Sequence, residues 1–331
     1  MAEYDVYGVG NALVDMEFEV SDALLTELSV DKGLMTLIDQ ERHFALLDTL
    51  PHGQGKRSSG GSAANTIIAT AQLGCNSFYS CKVANDDTGT FYMTDLANCG
   101  VSSNLSMDNR EDGVTGKCIV LITPDAERSM NTYLGITSKI GVKELDESAI
   151  QNAKIAYIEG YLVPEPNARE AAIKARQIAQ AAGVQTALTL SDINMVKFFK
   201  DGLMEIVGDG LDMVFCNEDE AKEMFEVDSL GQCVDHMKNI SKQFAITRGA
   251  NGATLFDGEN LIEVAATKVT PIDTNGAGDM YAGAFLYGMT QGMSFAQCGE
   301  LASAAAGKLI TQFGARLPTA EMATIKKQFN N

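Results

Sequence analysis

The sequence has no tryptophan and only three histidines among its 331 residues. The three, His43, His52 and His236, are far apart in the chain, and the metalloprotease pattern HExxH is absent. A zinc site or a Ser-His-Asp hydrolase needs histidine in a defined constellation. The sequence therefore gives little support to either kind of chemistry.

Positive charge is also scarce, because 25 Lys and Arg stand against 44 Asp and Glu, for a net charge of −19. Nucleic acids and anionic membranes are bound through clustered lysine and arginine, so we expect neither as a partner. No run approaches the roughly 20 apolar residues that span a bilayer. Seven cysteines, an odd number without a CxxC pair or a signal peptide, are typical of a reducing compartment. We expect a soluble cytoplasmic protein.

Two common nucleotide-binding patterns are missing. The pattern GxxxxGK[ST] does not occur, which argues against a Walker-type fold. Gly8 and Gly10 begin a dinucleotide-type pattern, but Leu13 stands where its third glycine belongs. A Rossmann dehydrogenase is therefore disfavoured, and any phosphate must be bound by another local feature.

One such feature is the stretch 272–281, IDTNGAGDMY, in which a glycine turn precedes a predicted helix. The first N–H groups of a helix lack partners and the dipole is positive there, so this end can bind an anion. Gly276 and Gly278 would let a phosphate approach the backbone closely. Asp279 has two interpretations: a capping carboxylate, or a general base beside a transferring phosphoryl group.

Polar residues also follow the first predicted strand and a second glycine turn. Asn11 and Asp15 come after the strand, and Gly60, Gly61 and Asn65 surround the start of an apolar helix. Ligands gather at the carboxyl ends of strands in open α/β sheets. These residues are either a hydroxyl-binding set with backbone close to a small ligand, or Asx turns and helix caps.

The second half of the chain alternates helix and strand regularly from about residue 144, which predicts a parallel sheet covered on both faces. The stretches 12–45 and 108–137 are less regular and are predicted to pair as a small β-sheet lid. The predicted nucleotide-binding core comprises 1–11, 46–107 and 138–331.

Asn217 is followed by three acidic residues, Glu218 to Glu220, at the end of a predicted strand. These acids either complement a helix dipole or hold waters around a Mg²⁺ ion that bridges ATP phosphates. Arg128, in a predicted lid strand, is either a solvated surface residue or a phosphate clamp, for which a guanidinium group is well suited.

Two segments together resemble the signatures of the ribokinase-like (PfkB) kinase family, namely GGSAANT at 60–66 and DTNGAGD at 273–279. Between them, 217–220 matches the family's NxxE metal motif and 247–252 its TxGxxG nucleotide turn. The likeness extends over nearly the whole chain, from Tyr4 to about Pro318.

Within this family the sequence is most similar to the adenosine kinase branch. The segments that carry this closer likeness are GNALVD at 10–15 and TGKC at 115–118, with the complete DTNGAGD run. The resemblance implies a ribokinase-like three-layer α/β/α sandwich with a mainly parallel sheet and a small β-sheet lid.

The resemblance also implies roles for individual residues, with Asp279 as the base for a ribose 5′-hydroxyl. The catalytic group would be Asp279, Gly276, Ala277, Gly278 and Arg128. The substrate-binding group would be Asn11, Asp15, Gly60, Gly61 and Asn65. The ATP-binding group would be Asn217, Thr247, Gly249, Gly252, Thr274 and Ser303. Asn217 and Glu220 would hold the metal through water.

The function expected from these features is ATP-dependent phosphorylation of a nucleoside 5′-hydroxyl with Mg²⁺, adenosine being preferred, as in purine salvage. One alternative is a sugar kinase of the same family, acting on ribose, fructose or a related sugar. Another is a catalytically silent nucleotide-binding regulator. The sequence leaves open the physiological acceptor, the choice between monomer and homodimer, the need for a monovalent cation such as K⁺, and the extent of lid closure.

Overall fold

The structure, a computed structural model, describes residues 2–50, 56–125 and 127–329. Residues 51–55 of the predicted core range 46–107 lie outside the described residues. Over the described ranges the chain forms fourteen strands: β1 (Tyr4–Val9), β2 (Leu13–Glu19), β3 (Met35–Leu37), β4 (Lys56–Gly60), β5 (Ser77–Ser80), β6 (Val101–Ser103), β7 (Gly116–Ile122), β8 (Arg128–Tyr133), β9 (Ala153–Glu159), β10 (Gln185–Thr189), β11 (Leu211–Asn217), β12 (Ser241–Thr247), β13 (Ala253–Phe256) and β14 (Leu261–Val264).

The same ranges contain twelve α-helices and four short 3₁₀ turns. The helices are α1 (Asp22–Glu27), α2 (Gln40–Thr49), α3 (Ser62–Leu73), α4 (Asp87–Asn98), α5 (Glu147–Gln151), α6 (Pro166–Ala181), α7 (Ile193–Val207), α8 (Glu218–Phe225), α9 (Leu230–Met237), α10 (Ala277–Thr290), α11 (Phe295–Leu309) and α12 (Thr319–Phe329). No helix in the described part of the chain is long and apolar enough to span a bilayer.

The large sheet contains nine of the described strands, in the order β14-β13-β12-β11-β10-β9-β1-β5-β6. Its strands are parallel from β6 to β12, and the hairpin of β13 and β14 continues it antiparallel. In β9, Ile155, Tyr157 and Ile158 are all buried, which is typical of a strand covered on both faces. The predicted mainly parallel sheet is confirmed.

Helices cover both faces of this sheet and make the three layers. One buried apolar cluster joins the sheet to α3, α4, α10, α11 and α12, and a second joins it to α5 through α9. Helices α3 and α10 lie close together. A Cβ added at Gly283 of α10 would stand only 2.6 Å from the carbonyl oxygen of Thr66 in α3. This contact, made possible by glycine, places the starts of the two helices side by side at one edge of the sheet.

The small sheet has the strand order β3-β8-β7-β2-β4 among the described residues. Successive side chains on a strand face opposite sides of the sheet. In β7 both sets of side chains lie against other groups. Ile119 and Leu121 pack with apolar residues of α1 and α2, whereas Cys118 and Val120 face a cavity above the large sheet. The predicted lid is therefore a sheet with helices on its outer face.

Strand β4 corrects one predicted boundary. Lys56–Gly60 was placed in the core range, yet it pairs antiparallel with β2, from Leu13 opposite Gly60 to Glu17 opposite Lys56. The segment KRSSG has no apolar alternation, so its strand conformation comes from pairing with β2 and not from local pattern. The division into domains otherwise stays a prediction.

Candidate active site

A cavity of about 470 Å³ lies between the carboxyl edge of the large sheet and the inner face of the small sheet. The start of α10 forms part of its wall. The ends of five parallel strands contribute Asn11, Glu159, Thr189, Asn217 and Thr247. Carboxyl ends of parallel strands are where open α/β sheets bind ligands.

Asp279 lies in the first turn of α10, half-buried, with its side chain at the cavity. Its Oδ1 accepts a hydrogen bond from Ser62 Oγ at 2.6 Å, and its Oδ2 accepts one from Asn65 Nδ2 at 3.2 Å. Burial raises the pKa of Asp279 to about 6, and the two hydrogen bonds oppose that rise. The carboxylate therefore lies at the cavity with both oxygens hydrogen-bonded, and its role as a general base stays a prediction.

The predicted anion seat lies on the same turn. Gly276 caps α10 with a φ of +73°, and a Cβ there would stand 2.7 Å from Ala315 Cβ. A Cβ at Gly278 would meet no atom within 4 Å, so the backbone at this residue is open to a ligand. The N–H of Ala277 donates to Thr274 O at 3.2 Å, so this amide already has a partner.

Arg316 is a residue that the sequence interpretation missed. It lies outside the cavity lining, and its Nε donates to Asn65 Oδ1 at 3.2 Å. The other two nitrogens donate to Asp95 Oδ2 at 3.1 Å and to Ser59 Oγ at 2.9 Å. No local pattern distinguishes Arg316 in the sequence, because all three partners are more than two hundred residues away.

Glu159 was missed as well, although it follows the apolar run 155–158 at the end of strand β9 and could have been noticed for that reason. It is fully buried, and its Oε2 accepts hydrogen bonds from Asn11 N at 2.5 Å and Asn11 Nδ2 at 3.0 Å. Its Oε1 accepts from Ala63 N at 3.0 Å. Burial raises the pKa of Glu159 to about 7, although these N–H donors favour its ionised form. Asn11, predicted to bind a ribose hydroxyl, is thus held in place by Glu159.

Asp15, on β2, faces the cavity from the small sheet. Burial raises the pKa of Asp15 to about 7, against the lowering effect of the Arg316 charge. Gly60 does not line the cavity; a Cβ there would clash with the carboxylate of Asp15. Gly61 does line it, with a φ of +105°, and a Cβ there would clash with the carbonyl oxygen of Asn11. Both glycines therefore make room for predicted substrate-binding residues.

Asn217 and Glu220 form a capping box at the start of α8. Asn217 Oδ1 accepts from Glu220 N at 2.8 Å, and Glu220 Oε2 accepts from Asn217 N at 3.0 Å. Both residues also line the cavity, and burial raises the pKa of Glu220 to about 7. The two interpretations of this motif are therefore compatible.

A metal site built directly from several protein ligands does not occur among the described residues, since no three His, Cys, Asp or Glu are suitably grouped there. Mg²⁺ commonly keeps several waters and takes one or two carboxylates with substrate phosphates. Glu220 at the cavity wall fits that mode of binding. The water-mediated Mg²⁺ site at Asn217 and Glu220 stays a prediction.

The remaining predicted ATP-binding residues divide into two groups. Thr247 and Thr274 line the cavity, whereas Gly249, Gly252 and Ser303 are outside its lining. Gly252 has a φ of +85°, and a Cβ there would clash with the carbonyl oxygen of Val264, which explains this glycine by packing alone.

Arg128, the predicted phosphate clamp, is also outside the cavity lining. Its side chain is buried, with Nη1 at 3.1 Å from Glu17 Oε1 and Nε at 3.0 Å from Asp273 Oδ2. The guanidinium group is thus paired with two carboxylates. Its role at a phosphate stays a prediction.

The cavity wall formed by the small sheet and its connections is mostly apolar. Its apolar residues are Leu13, Met35, Leu37, Cys118, Val120, Met130 and Leu134, and its polar residues are Asp15 and Thr132. The described lining contains no lysine or arginine. A ligand group on this side is therefore expected to be uncharged and apolar, while Asp15 and Asn65 offer polar contacts nearer to Asp279.

Residues 28–322 match the family model described as pfkB family carbohydrate kinase. The chain belongs to this family. The protein is accordingly a phosphotransferase that acts on a hydroxyl group, and the family implies ATP as the phosphate donor, usually with Mg²⁺. The predicted family and the three-layer fold are confirmed.

Similar proteins of known structure include an adenosine kinase and a sugar kinase. The adenosine kinase from Sinorhizobium meliloti is 36% identical, with a TM-score of 0.89 and coverage of 99% of each chain. A probable sugar kinase from Rhizobium etli is 34% identical, with a TM-score of 0.89 and coverage of 99% of this chain and 100% of the other. The adenosine kinase from Dictyostelium discoideum is 25% identical over 346 residues, covering 97% of this chain and 98% of its own. The relatives thus include kinases of both acceptor classes, nucleosides and sugars.

Proposed function

We propose that the protein is an ATP-dependent kinase that phosphorylates the 5′-hydroxyl of a nucleoside, with adenosine as the preferred acceptor and a role in purine salvage. The observation that carries this proposal is the position of Asp279. Its carboxylate lies at the start of α10, beside glycine backbone open to the cavity and opposite an apolar wall of the small sheet.

In the proposed reaction, Asp279 takes the proton of the attacking hydroxyl. A pKa of about 6 leaves the carboxylate mostly ionised at neutral pH, and it is a stronger base than an ordinary aspartate. The start of α10 supplies dipole and N–H groups for the oxygens of the transferring phosphoryl group. Positioning and electrostatic stabilisation are the main contributions that a protein makes to phosphoryl transfer.

Adenosine is preferred because of the two kinds of cavity wall. Asp15, Asn65 and Gly61 line the same cavity as Asp279, where they would bind sugar hydroxyls. The apolar residues of the small sheet would contact a flat, uncharged base. A phosphorylated sugar would meet no cationic side chain in the described lining, which disfavours a sugar phosphate as acceptor.

Mg²⁺ would be held through water by Glu220 and Asn217, and when bound it would neutralise charge on the ATP phosphates. Glu220 suits this function because its buried carboxylate faces a cavity and its pKa is raised to about 7, so that a nearby cation would favour the ionised form.

A sugar kinase is the second candidate, and the likeness to the Rhizobium etli protein favours it. The same polar residues near Asp279 would serve a free pentose or hexose. The apolar wall would then have no ligand group to contact, and for that reason we prefer a nucleoside.

The test is an ADP-release screen of the purified protein with Mg²⁺ and ATP against nucleosides, free pentoses, free hexoses and sugar phosphates. We expect adenosine to give the highest kcat/KM. A sugar that exceeds every nucleoside would support the second candidate. ATP binding without ADP release on any acceptor would indicate a catalytically silent protein.

A further inference from the structure

Arg316, which lies outside the cavity lining, connects three elements of the fold. It follows α11 in the chain, and it donates hydrogen bonds to Asn65 in α3, Asp95 in α4 and Ser59 in β4. Asp95 Oδ2 also accepts from Ser59 N at 2.8 Å and Ser59 Oγ at 2.6 Å. Strand β4 of the small sheet is thus joined to the core beside the predicted base.

The contact with Asn65 determines which way that amide faces. An asparagine amide has a donor side and an acceptor side, whereas a guanidinium group can only donate. Arg316 Nε therefore keeps Asn65 Oδ1 on its own side, and Asn65 Nδ2 is left facing Asp279 Oδ2. A flipped amide would place donor against donor at Arg316 and oxygen against the carboxylate at Asp279.

The segment that carries Arg316 is itself held against the anion seat. Gln312 Nε2 donates to the carbonyl oxygen of Arg316 at 3.1 Å, and Gly314 N donates to Asp273 Oδ2 at 2.8 Å. Ala315 packs directly against Gly276. The backbone of this segment and the turn before Asp279 are therefore fixed to each other.

We propose that Arg316 is a positioning residue for phosphoryl transfer, which orients the Asn65 amide toward Asp279 and ties this orientation to strand β4. The proposal rests on the proposed function, in which Asp279 is the base. It goes further because Arg316 touches neither the cavity nor Asp279 and acts through Asn65. A purely structural ion pair with Asp95 is the competing explanation.

The two explanations differ in what they predict for the pKa of Asp279 when Arg316 is replaced. The hydrogen bond from Asn65 lowers the pKa of Asp279, so losing the amide orientation should raise it. The other titratable groups coupled to Asp279 are Asp15, Tyr157, Glu159, Tyr161 and Glu220. Among these, Asp15 has its pKa lowered by the charge of Arg316.

The decisive experiment follows the Asp279 carboxyl carbon by NMR across pH, with selectively ¹³C-labelled aspartate and Asp279→Asn to assign the signal. We expect Arg316→Met to raise the titration midpoint by about half to one pH unit. Arg176→Met is the control, because Arg176 is also a largely enclosed arginine but lies in α6, outside the cavity lining. It should leave the midpoint unchanged.

Arg316→Lys is a second variant, which tests the proposal even if the Arg316→Met protein does not fold. Lysine keeps a cation beside Asp95 but offers a single ammonium group, which cannot reach Asn65 with the same geometry. We expect the fold to be kept and the midpoint still to rise. An Arg316→Met midpoint equal to that of wild type, or a lysine variant that folds with an unmoved midpoint, would overturn the proposal.

Asn65→Ala tests the route of the effect. Without the amide, adding Arg316→Met should move the Asp279 midpoint no further, since both changes remove the same hydrogen bond. Additive shifts would mean that Arg316 acts by another path and would overturn the proposal.

The NMR readout needs no substrate, so it is independent of the acceptor screen. If no acceptor is phosphorylated by wild type, the proposed function fails while the orientation by Arg316 is still tested.

Kinetics supply the second readout. With the best acceptor, Arg316→Met should lower kcat about tenfold and move the acid limb of its pH profile upward, with the KM for ATP nearly unchanged, because a misplaced base affects the reaction more than binding. A raised KM for ATP with an unmoved pH profile would contradict a role at Asp279.

Discussion

Arg128 and Asp273 form an ion pair between the small sheet and the turn before α10, with 3.0 Å between Nε and Oδ2. Asp273 also accepts hydrogen bonds from Asn275 N at 3.0 Å and Gly314 N at 2.8 Å. The carboxylate therefore organises the turn that leads into the anion seat. This pair engages the same guanidinium group that was predicted to steady a phosphate.

Arg128→Met should therefore affect both stability and turnover. Asp273 and Glu17 would lose their shared cation in a buried setting, which should cost about 3 kcal/mol of unfolding free energy. The turn before α10 would loosen, and kcat would fall with it. Denaturant unfolding and steady-state kinetics measure the two effects.

Asp273→Asn is the companion variant, because it breaks the same pair and leaves Arg128 with Glu17. If Arg128 also steadies the phosphate, Arg128→Met should lose about tenfold more kcat/KM for ATP than Asp273→Asn. Matching losses in the two variants would contradict the phosphate clamp and leave Arg128 with the role of holding the turn.

Asp279→Asn should lower turnover by about two orders of magnitude or more, because the amide cannot take the hydroxyl proton. Unfolding and ATP binding should stay close to wild type. In the wild-type enzyme, activity should fall as the pH drops through about 6, where the carboxylate becomes protonated. Stopped assays between about pH 5 and 8 would measure this limb.

Asp87→Asn is the matched control for that variant. Asp87 is also an acid in the first turn of a helix, α4, but it lies away from the cavity lining. It should lose only the small dipole contribution to stability, with no loss of turnover. Turnover near wild type in Asp279→Asn would remove Asp279 as the base.

Gly61→Ala should impair acceptor binding. Alanine at a φ of +105° is strained by about 1–2 kcal/mol, and its Cβ would displace the backbone of Asn11. We expect the acceptor KM to rise about tenfold, because Asn11 would move from its place at the cavity. Gly100→Ala is the control, since Gly100 has a φ of +80° with no atom within 4 Å of its Cβ position. Equal acceptor KM values in the two variants would argue against Asn11 as a substrate-binding residue.

Asp15 should make the stability of the protein depend on pH. Its pKa is about 7 in the folded state and has the ordinary value of 3.8 when unfolded. Between these values the folded state keeps a proton that the unfolded state has released, so the unfolding free energy falls as pH rises.

Asp15→Asn removes this dependence. The variant should be more stable than wild type by about 1–2 kcal/mol near pH 8 and equal to it near pH 4, a smaller gain than the full shift would give because Asp15 is only half-buried. Unfolding curves at several pH values would show it. Glu159 and Glu220 also have pKa values raised to about 7, so part of the slope should remain. A constant difference between the two proteins at all pH values would contradict the assignment.

The start of α10 was predictable because its information is local. Gly276, Gly278 and Asp279 lie within one turn, and the glycine conformation, the helix dipole and the first-turn carboxylate all follow from neighbouring residues. The capping box of Asn217 and Glu220 is local in the same way, which is why both of its interpretations could be stated from the sequence.

The hydrogen bonds that hold these residues in place could not be predicted from the sequence. Glu159 lies 148 positions from Asn11, and Arg316 lies 251 positions from Asn65. Nothing near a buried acid or an arginine in the sequence says which distant polar group it will meet. Such pairs depend on sheet order and on the close approach of α3 to α10, and the pairing of β4 with β2 is decided in the same way.

Glu220→Gln separates the structural from the metal-binding role of the capping box. Glutamine can perform the backbone part of the capping, because Gln297 does so in α11, where its Oε1 accepts from Ser294 N at 3.0 Å. It loses the bond that Glu220 Oε1 accepts from Asn217 Nδ2 at 2.7 Å, since glutamine has only one acceptor oxygen. The variant should therefore fold normally, with α8 intact. It loses the negative charge that would hold the waters around Mg²⁺.

Activity of Glu220→Gln should then need about tenfold more Mg²⁺ for half-maximal rate, as is common when an outer-shell partner of a metal is altered, and should recover when Mg²⁺ is raised. Asp219→Asn is the control, since it removes the adjacent charge on α8 and leaves the capping box complete. If both variants show the same Mg²⁺ dependence, general electrostatics explains the effect. A shift confined to Glu220→Gln supports an action of this carboxylate on the metal, because the backbone cap is present in both variants.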